Sequence, residues 1–175
     1  MKKWIALLLM AVLTLSLSTA FAASPSKTVA DVPKVLEITT SGEKAGDDFM
    51  IIILPDQPAV LAELAKINKD DPVSYFPQEV QEKLGSGLKL DEFLSITCVN
   101  YKPEYGDVTA VFQFTAKYTS DAAAATGFIS GETVEWEADA TEVRPEGTVA
   151  ITFTQDEMVR MQQGVNTALA VLSAK

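Results

Sequence analysis

Val108-Thr109-Ala110-Val111-Phe112-Gln113-Phe114-Thr115-Ala116-Lys117-Tyr118 is the stretch whose reading decides the fold. Every even position is apolar, while the odd positions carry Thr109, Val111, Gln113, Thr115 and Lys117. Successive strand side chains point to opposite faces, so this alternation predicts a half-buried antiparallel strand with Phe112 and Phe114 toward a core. The pattern returns over Thr133–Val143. There Val134, Trp136, Ala138 and Ala140 share one face, and Glu135, Glu137, Asp139 and Thr141 the other. It returns again in Val149, Ile151 and Phe153, after the turn residues Arg144-Pro145-Glu146-Gly147. Three strands with one apolar face each require a cover.

The residues that follow supply a candidate for it. Thr154-Gln155-Asp156-Glu157 matches a capping box, in which Thr154 and Glu157 satisfy each other's backbone N–H groups. Met158, Met161, Val165, Leu169 and Leu172 then recur at 3-4 spacing, which predicts an amphipathic C-terminal helix of about five turns. Gly164 costs about 1 kcal/mol inside such a helix and is read as a close approach to the sheet.

The N-terminal half mixes both periods. Val35–Thr39 reads as a short strand, and Phe49-Met50-Ile51-Ile52-Ile53-Leu54 as a strand buried on both faces, the two able to pair as a hairpin. Asp56 as N-cap and Pro58 in the first turn predict a helix over 57–68, with Leu61, Leu64 and Ala65 on its inner face. Pro77 opens a second helix that buries Val80 and Leu84 and stops at Gly85-Ser86-Gly87. Leu88–Phe93 is ambiguous, Leu94–Asn100 is a strand, and Ala122–Ile129 leans toward a strand.

The expected fold class is therefore α+β: an antiparallel sheet of about five to seven strands packed against a long C-terminal helix and one or two short helices. An Ig-like sandwich from residue 94 onward is the rival. The capping box argues against it, because a sandwich has no place for so long a helix.

Lys2 and Lys3, the apolar run Trp4–Leu17 and Ala20-Phe21-Ala22 have the layout of a secretory signal peptide cleaved after Ala22. The expected organisation is a signal peptide over 1–22, a flexible leader over 23–33 and one α+β domain over 34–175. The product is expected to be secreted and extracellular, without stable membrane insertion after cleavage. Removing Lys2 and Lys3 takes the net charge from −10 to −12. A field of that sign disfavours nucleic acid and anionic membrane surfaces.

Several short patterns resemble a group of uncharacterised secreted proteins of Gram-positive bacteria, a domain of unknown function. They are Tyr75-Phe76-Pro77-Gln78-Glu79-Val80, Tyr105-Gly106-Asp107-Val108-Thr109-Ala110, Glu132-Thr133-Val134-Glu135-Trp136, Gly147–Thr154, Met161-Gln162 and Leu169–Ser173. The resemblance implies export from a Gram-positive cell. It implies no activity and no site residue.

The chain has no histidine, which removes Ser-His-Asp and Cys-His catalysis and most zinc and haem sites. It has no phosphate-binding glycine loop and no EF-hand, so no cofactor is expected. A catalytic residue is not assigned. A pair of carboxylates working on a glycan is the alternative that survives elimination, and a calcium-stabilised surface module is a third. The leading expectation is a non-catalytic binding or accessory protein with a protein or glycan partner.

Five residues form the candidate ligand or partner face. Glu135, Glu137 and Asp139 are the most regular charged row, although polar-out alternation alone produces such a row on a solvated strand face. Tyr101 and Tyr105 flank Pro103 in a loop, where aromatics are commonly exposed and available for stacking. Cys98, the sole cysteine, reads as a buried small hydrophobe, with a bridge to another chain or a nucleophile as the sharper alternatives.

Overall fold

The structure is a computed structural model that describes residues 33–55, 57–67, 72–85 and 87–175. Among these residues, eight strands and three short helices are found. The strands are β1 (Lys34–Thr40), β2 (Met50–Leu54), β3 (Leu88–Val99), β4 (Val108–Gln113), β5 (Ala122–Ser130), β6 (Thr133–Val143), β7 (Val149–Phe153) and β8 (Asn166–Ala174). The helices are α1 (Pro58–Lys66), α2 (Gln78–Leu84) and α3 (Gln155–Gln162). Residues 1–32, which hold the expected signal peptide and most of the expected leader, lie outside the described residues, as does Asp56.

The eight strands form one antiparallel sheet in the order β1-β4-β7-β6-β5-β8-β3-β2. The sheet curls until β1 and β2 approach each other, giving a nearly closed barrel with one open seam. This corrects the expected α+β layout. The protein is mostly β, has more strands than expected, and carries no long C-terminal helix.

The physical reason lies at Gly164. α3 starts as expected: Thr154 Oγ accepts from Glu157 N, Thr154 N donates to Glu157 Oε2, and the capping box is complete. The helix then stops after two turns. Gly164 takes φ +80, a left-handed conformation that ends helices, and its N–H donates to Met161 O. The glycine terminates the helix instead of marking a close approach within it. Asn166–Ala174 becomes β8, hydrogen-bonded to β5 on one side and β3 on the other. Ala168 to Leu172 are all buried, because one face looks into the barrel and the other lies under α1 and α2. A strand buried on both faces loses its two-residue alternation, so its apolar residues satisfied a helical template by coincidence.

Two apolar layers result. Inside the barrel lie Phe112, Phe153, Ile151, Ile96, Leu169 and the α3 residues Met158 and Met161, each almost wholly buried. Burying each such side chain contributes about 1.5–3 kcal/mol. The interior is filled by side chains, with Phe112 stacked on Phe114 at 5.8 Å and set edge-on to Phe153 at 6.4 Å. Outside the barrel, α1 and α2 cover β3, β8, β5 and the start of β6. Val80, Leu84 and Ile67 meet Leu88, Ala123, Ala125 and Leu172 there.

Several local expectations are also corrected. β1 and β2 do not pair as a hairpin; β1 pairs with β4 and β2 with β3. β2 is an edge strand, with Ile51 buried and Met50 half exposed, so it is not buried on both faces. The N-cap of α1 is Gln57, and its inner face is Val60, Glu63 and Ile67, while Leu61 is exposed. The rotation follows from Glu63. Its buried carboxylate accepts from Tyr75 Oη and, at 2.8 Å, from Lys66 Nζ, and this fixes which side of the helix turns inward. α2 buries Val80 and Leu84 as expected and ends at Gly85 with φ +79.

Candidate functional site

β6 is shared between two neighbours. Its first half, Thr133–Asp139, pairs with β5, and its second half, Ala140–Val143, pairs with β7. β7 is short, and the chain leaves it at Thr154 to form α3. That helix packs mainly on β3 and reaches the first half of β6 through its side chains.

The acidic row therefore meets a helix along part of its length: Asp139 is buried and Glu137 half-buried, while Glu135 stays largely exposed. Arg160 of α3 donates from Nη2 to Glu135 Oε2 at 2.6 Å and from Nη1 to Glu137 Oε1 at 2.5 Å. Its guanidinium also lies 3.7 Å from the centre of the Phe128 ring. A cation over an aromatic face with two carboxylates is well held. Asp139, at the inner end of the row, is buried. Thr126 Oγ1 donates to its Oδ2 at 3.0 Å. The row is brought together as the sequence suggested, but as the docking surface for α3.

Burial, then the charge of Glu157, push the Asp139 carboxyl well above the ordinary carboxylate range, outweighing the Thr126 hydrogen bond. Burial also raises Glu137, and Glu157 adds to this against the opposing pull of Arg160. A groove of about 530 Å³ opens beside this region between Phe128–Val134 and Gly164–Asn166. Glu135 and Arg160 line it; Asp139 and Glu157 do not. Asp139 instead lines a separate, smaller pocket of about 260 Å³ with Glu79, Lys83 and Thr141, and Glu157 is not among its lining residues. Among the described residues no three Asp, Glu or Cys side chains are placed to hold a metal ion.

Tyr101 and Tyr105 stand elsewhere and are buried, which corrects the expectation of exposed loop aromatics. With Phe49 they form a triangle of tilted rings 5.7–6.0 Å apart at one end of the barrel. Tyr101 Oη donates to Gly106 O at 2.7 Å, and Tyr105 Oη accepts from Gly46 N at 3.2 Å. Backbone bonds from Ser41, Gly42 and Glu43 to Asp107, Tyr105 and Glu104 tie the β1–β2 loop to the same turn. The tyrosines close the barrel end and offer no stacking platform. Cys98 is buried too. Its thiol donates to Met158 O at 3.4 Å, and burial pushes its pKa up to about 11, so it is not an activated nucleophile.

The seam between β1 and β2 was not legible in the sequence. It holds a groove of about 710 Å³ lined by Pro33–Ile38 and Met50–Ile53. Leu36 and Met50 are two of the three large apolar side chains exposed among the described residues. The two edges differ. β1 carries Lys34 and Glu37 and a bulge between Val35 and Glu37, devices that blunt a strand edge. Arg144 also holds Glu37, with Nη1 3.0 Å from Oε2. β2 is Met50-Ile51-Ile52-Ile53-Leu54, with no charge, proline or bulge. Its far side is paired with β3, leaving the near-side N–H and C=O groups without a ladder partner. The only signal available beforehand was the uncharged, β-branched run itself.

Comparison with protein families, curated proteins and solved structures found no match to this chain.

Proposed function

We propose that the chain is an exported, non-catalytic binding module, and that its ligand is an extended polypeptide segment laid as an added strand along β2 in the seam. The unprotected β2 edge carries this reading. Strand addition takes its affinity from main-chain hydrogen bonds and its selectivity from side-chain grooves, and the seam offers both. The barrel interior supports the same reading, since among the described residues it is filled by side chains such as Phe112, Phe153, Met158 and Met161. A glycan has no run of alternating N–H and C=O groups to match a strand edge, so a polypeptide suits the seam better. Export rests on the layout of residues 1–22.

The test is selection of random displayed peptides on the purified protein, followed by measurement of the winners against an Ile52→Lys variant. Enriched peptides should alternate apolar residues, lack proline, and lose at least tenfold in affinity to the variant. Peptides that bind both proteins equally, or no enrichment at all, would overturn the reading.

A further inference from the structure

Asp139 on β6 and Glu157 on α3 are an unusual pair. They are 8% and 2% exposed. Each has one oxygen fully served. Asp139 Oδ2 accepts from Thr126 Oγ1. Glu157 Oε2 accepts from Thr154 N at 2.6 Å and Thr154 Oγ1 at 2.9 Å. The remaining oxygens, Asp139 Oδ1 and Glu157 Oε1, are buried, and no donor reaches either one while both carboxyls are ionised. Glu157 is nevertheless near enough to Asp139 to raise its carboxyl both by charge and by hydrogen bonding. Two carboxylates can share such a contact only if one of them carries a proton.

We propose that Asp139 and Glu157 hold one proton between their orphan oxygens, and that this proton latches α3 onto the barrel, so that the seating of α3 is pH-sensitive. The proton is taken from solvent on folding and returned to solvent when the pH rises. Burial, then the charge of Glu157, hold the Asp139 carboxyl well above the ordinary carboxylate range, so the proton is placed on Asp139.

The surroundings offer no alternative neutralisation. β6 contributes Glu135 and Glu137, and α3 contributes Asp156 and Arg160. Arg160 is already divided between Glu135 and Glu137. β5 faces the pair with Thr126, which has no charge to give. β3 presents Cys98 beneath Met158. The turn before β4 brings Tyr101 and Asp107, and Asp107 Oδ1 accepts from Gln155 N at 3.0 Å at the start of α3. From α2, Glu79 and Lys83 share a pocket with Asp139, but the Lys83 ammonium is spent on Thr141 O at 2.6 Å on the outer side of β6.

The direction follows from linkage. Unfolded, Asp139 loses its proton near the ordinary aspartate value; folded, it keeps it to higher pH. Between the two values the folded state binds one proton more than the unfolded state. The latch is complete below the unfolded value and is lost as pH rises through the folded one, with the folding equilibrium falling up to about tenfold per pH unit. Once the proton has gone, two anions face each other under α3, and the helix is pushed off.

Asp139→Asn and Glu157→Gln each replace the shared proton with an amide hydrogen that does not titrate. Unfolding of the full chain is followed by circular dichroism from pH 4 to pH 9, with labelling of Cys98 by a thiol reagent as a second readout. Cys98 lies against α3 and is the only cysteine, so its labelling reports when that helix lifts. The wild type is expected to lose stability across this range relative to both variants. At pH 8 its Cys98 should label at least tenfold faster than that of either variant. If one variant does not fold, the other decides. Parallel stability curves for wild type and a folded variant, or faster labelling in the variant, would overturn the proposal.

Discussion

Replacing Gly127 with alanine tests how the outer layer is packed. Gly127 lies opposite Trp136 in the β5–β6 ladder. A Cβ there would fall 2.7 Å from Cζ3 of the indole and 2.8 Å from Cε3 and Cη2. Those separations are about 1 Å short of van der Waals contact. The ring cannot simply step aside. Phe76 stands edge-on to it at 5.0 Å and Phe93 at 6.0 Å, which clamp it between α2 and the sheet. Overpacking of this kind costs about 1–3 kcal/mol. Alanine would otherwise be favourable in a strand, by about 0.5–1 kcal/mol over glycine, because it lowers the entropy lost on folding. The sign should therefore reverse once the indole is removed. Urea unfolding by circular dichroism should show Gly127→Ala destabilising the wild type by about 1–3 kcal/mol. In a Trp136→Leu background the same change should be neutral or stabilising, by up to about 1 kcal/mol. An equal cost in both backgrounds would show that the clash with Trp136 is not the cause. A stabilised Gly127→Ala in the wild type would refute the packing outright.

Other expectations concern single contacts. Met158→Ala should cost about 2–5 kcal/mol in urea unfolding, because this side chain is wholly buried between α3 and the barrel wall. It should also speed labelling of Cys98. Thr154→Ala removes the N-cap of α3 and one donor to Glu157, and should cost about 0.5–2 kcal/mol by the same assay. Tyr75 has its pKa pushed up to about 12, first by burial and then by its hydrogen bond to Glu63. Its stabilisation is therefore present below the ordinary phenol value and lost as pH rises toward 12. Burial raises Tyr101 and Tyr118 as well, so ultraviolet titration should show several late phenols, of which one moves earlier in Glu63→Gln.

The sequence was most informative where a strand has one wet face. The even positions of Val108–Phe114 and the triplet Val149, Ile151 and Phe153 are buried as their alternation requires. Capping was legible as well, since Thr154 and Glu157 make the reciprocal bonds their spacing predicts. β8 was not legible, because burial on both faces erases the two-residue period. Only Gly164 signalled the end of the helix, and a glycine inside an apolar stripe permits more than one reading. The two faces of β6 were separated, but their burial was not foreseen: Ala138 and Ala140 on the apolar face are exposed, and Asp139 on the acidic face is buried. Periodicity separates two faces without saying which lies under a helix and which under Arg160. The acidic row was visible as a row; its role as a seat for α3 depends on Glu157 and Arg160, which arrive some 20 residues later along the chain. The seam depends on barrel closure stopping short between β1 and β2, a long-range property that no local pattern carries.

β2 joins these observations to function. An uncharged strand of three consecutive isoleucines, left open on one edge, is a hazard for self-association unless something occupies it. The protein guards β1 with charge and a bulge and leaves β2 bare, and this asymmetry favours a strand-accepting role. The most direct test is amide hydrogen exchange over Met50–Leu54, in the free protein and with a peptide selected on it. The account predicts that β2 amides alternate in the free protein: those bonded to β3 are protected and those facing the seam exchange rapidly. Added peptide should slow the seam-facing set. Uniform protection of β2 in the free protein, or fast amides that the peptide leaves unchanged, would contradict it.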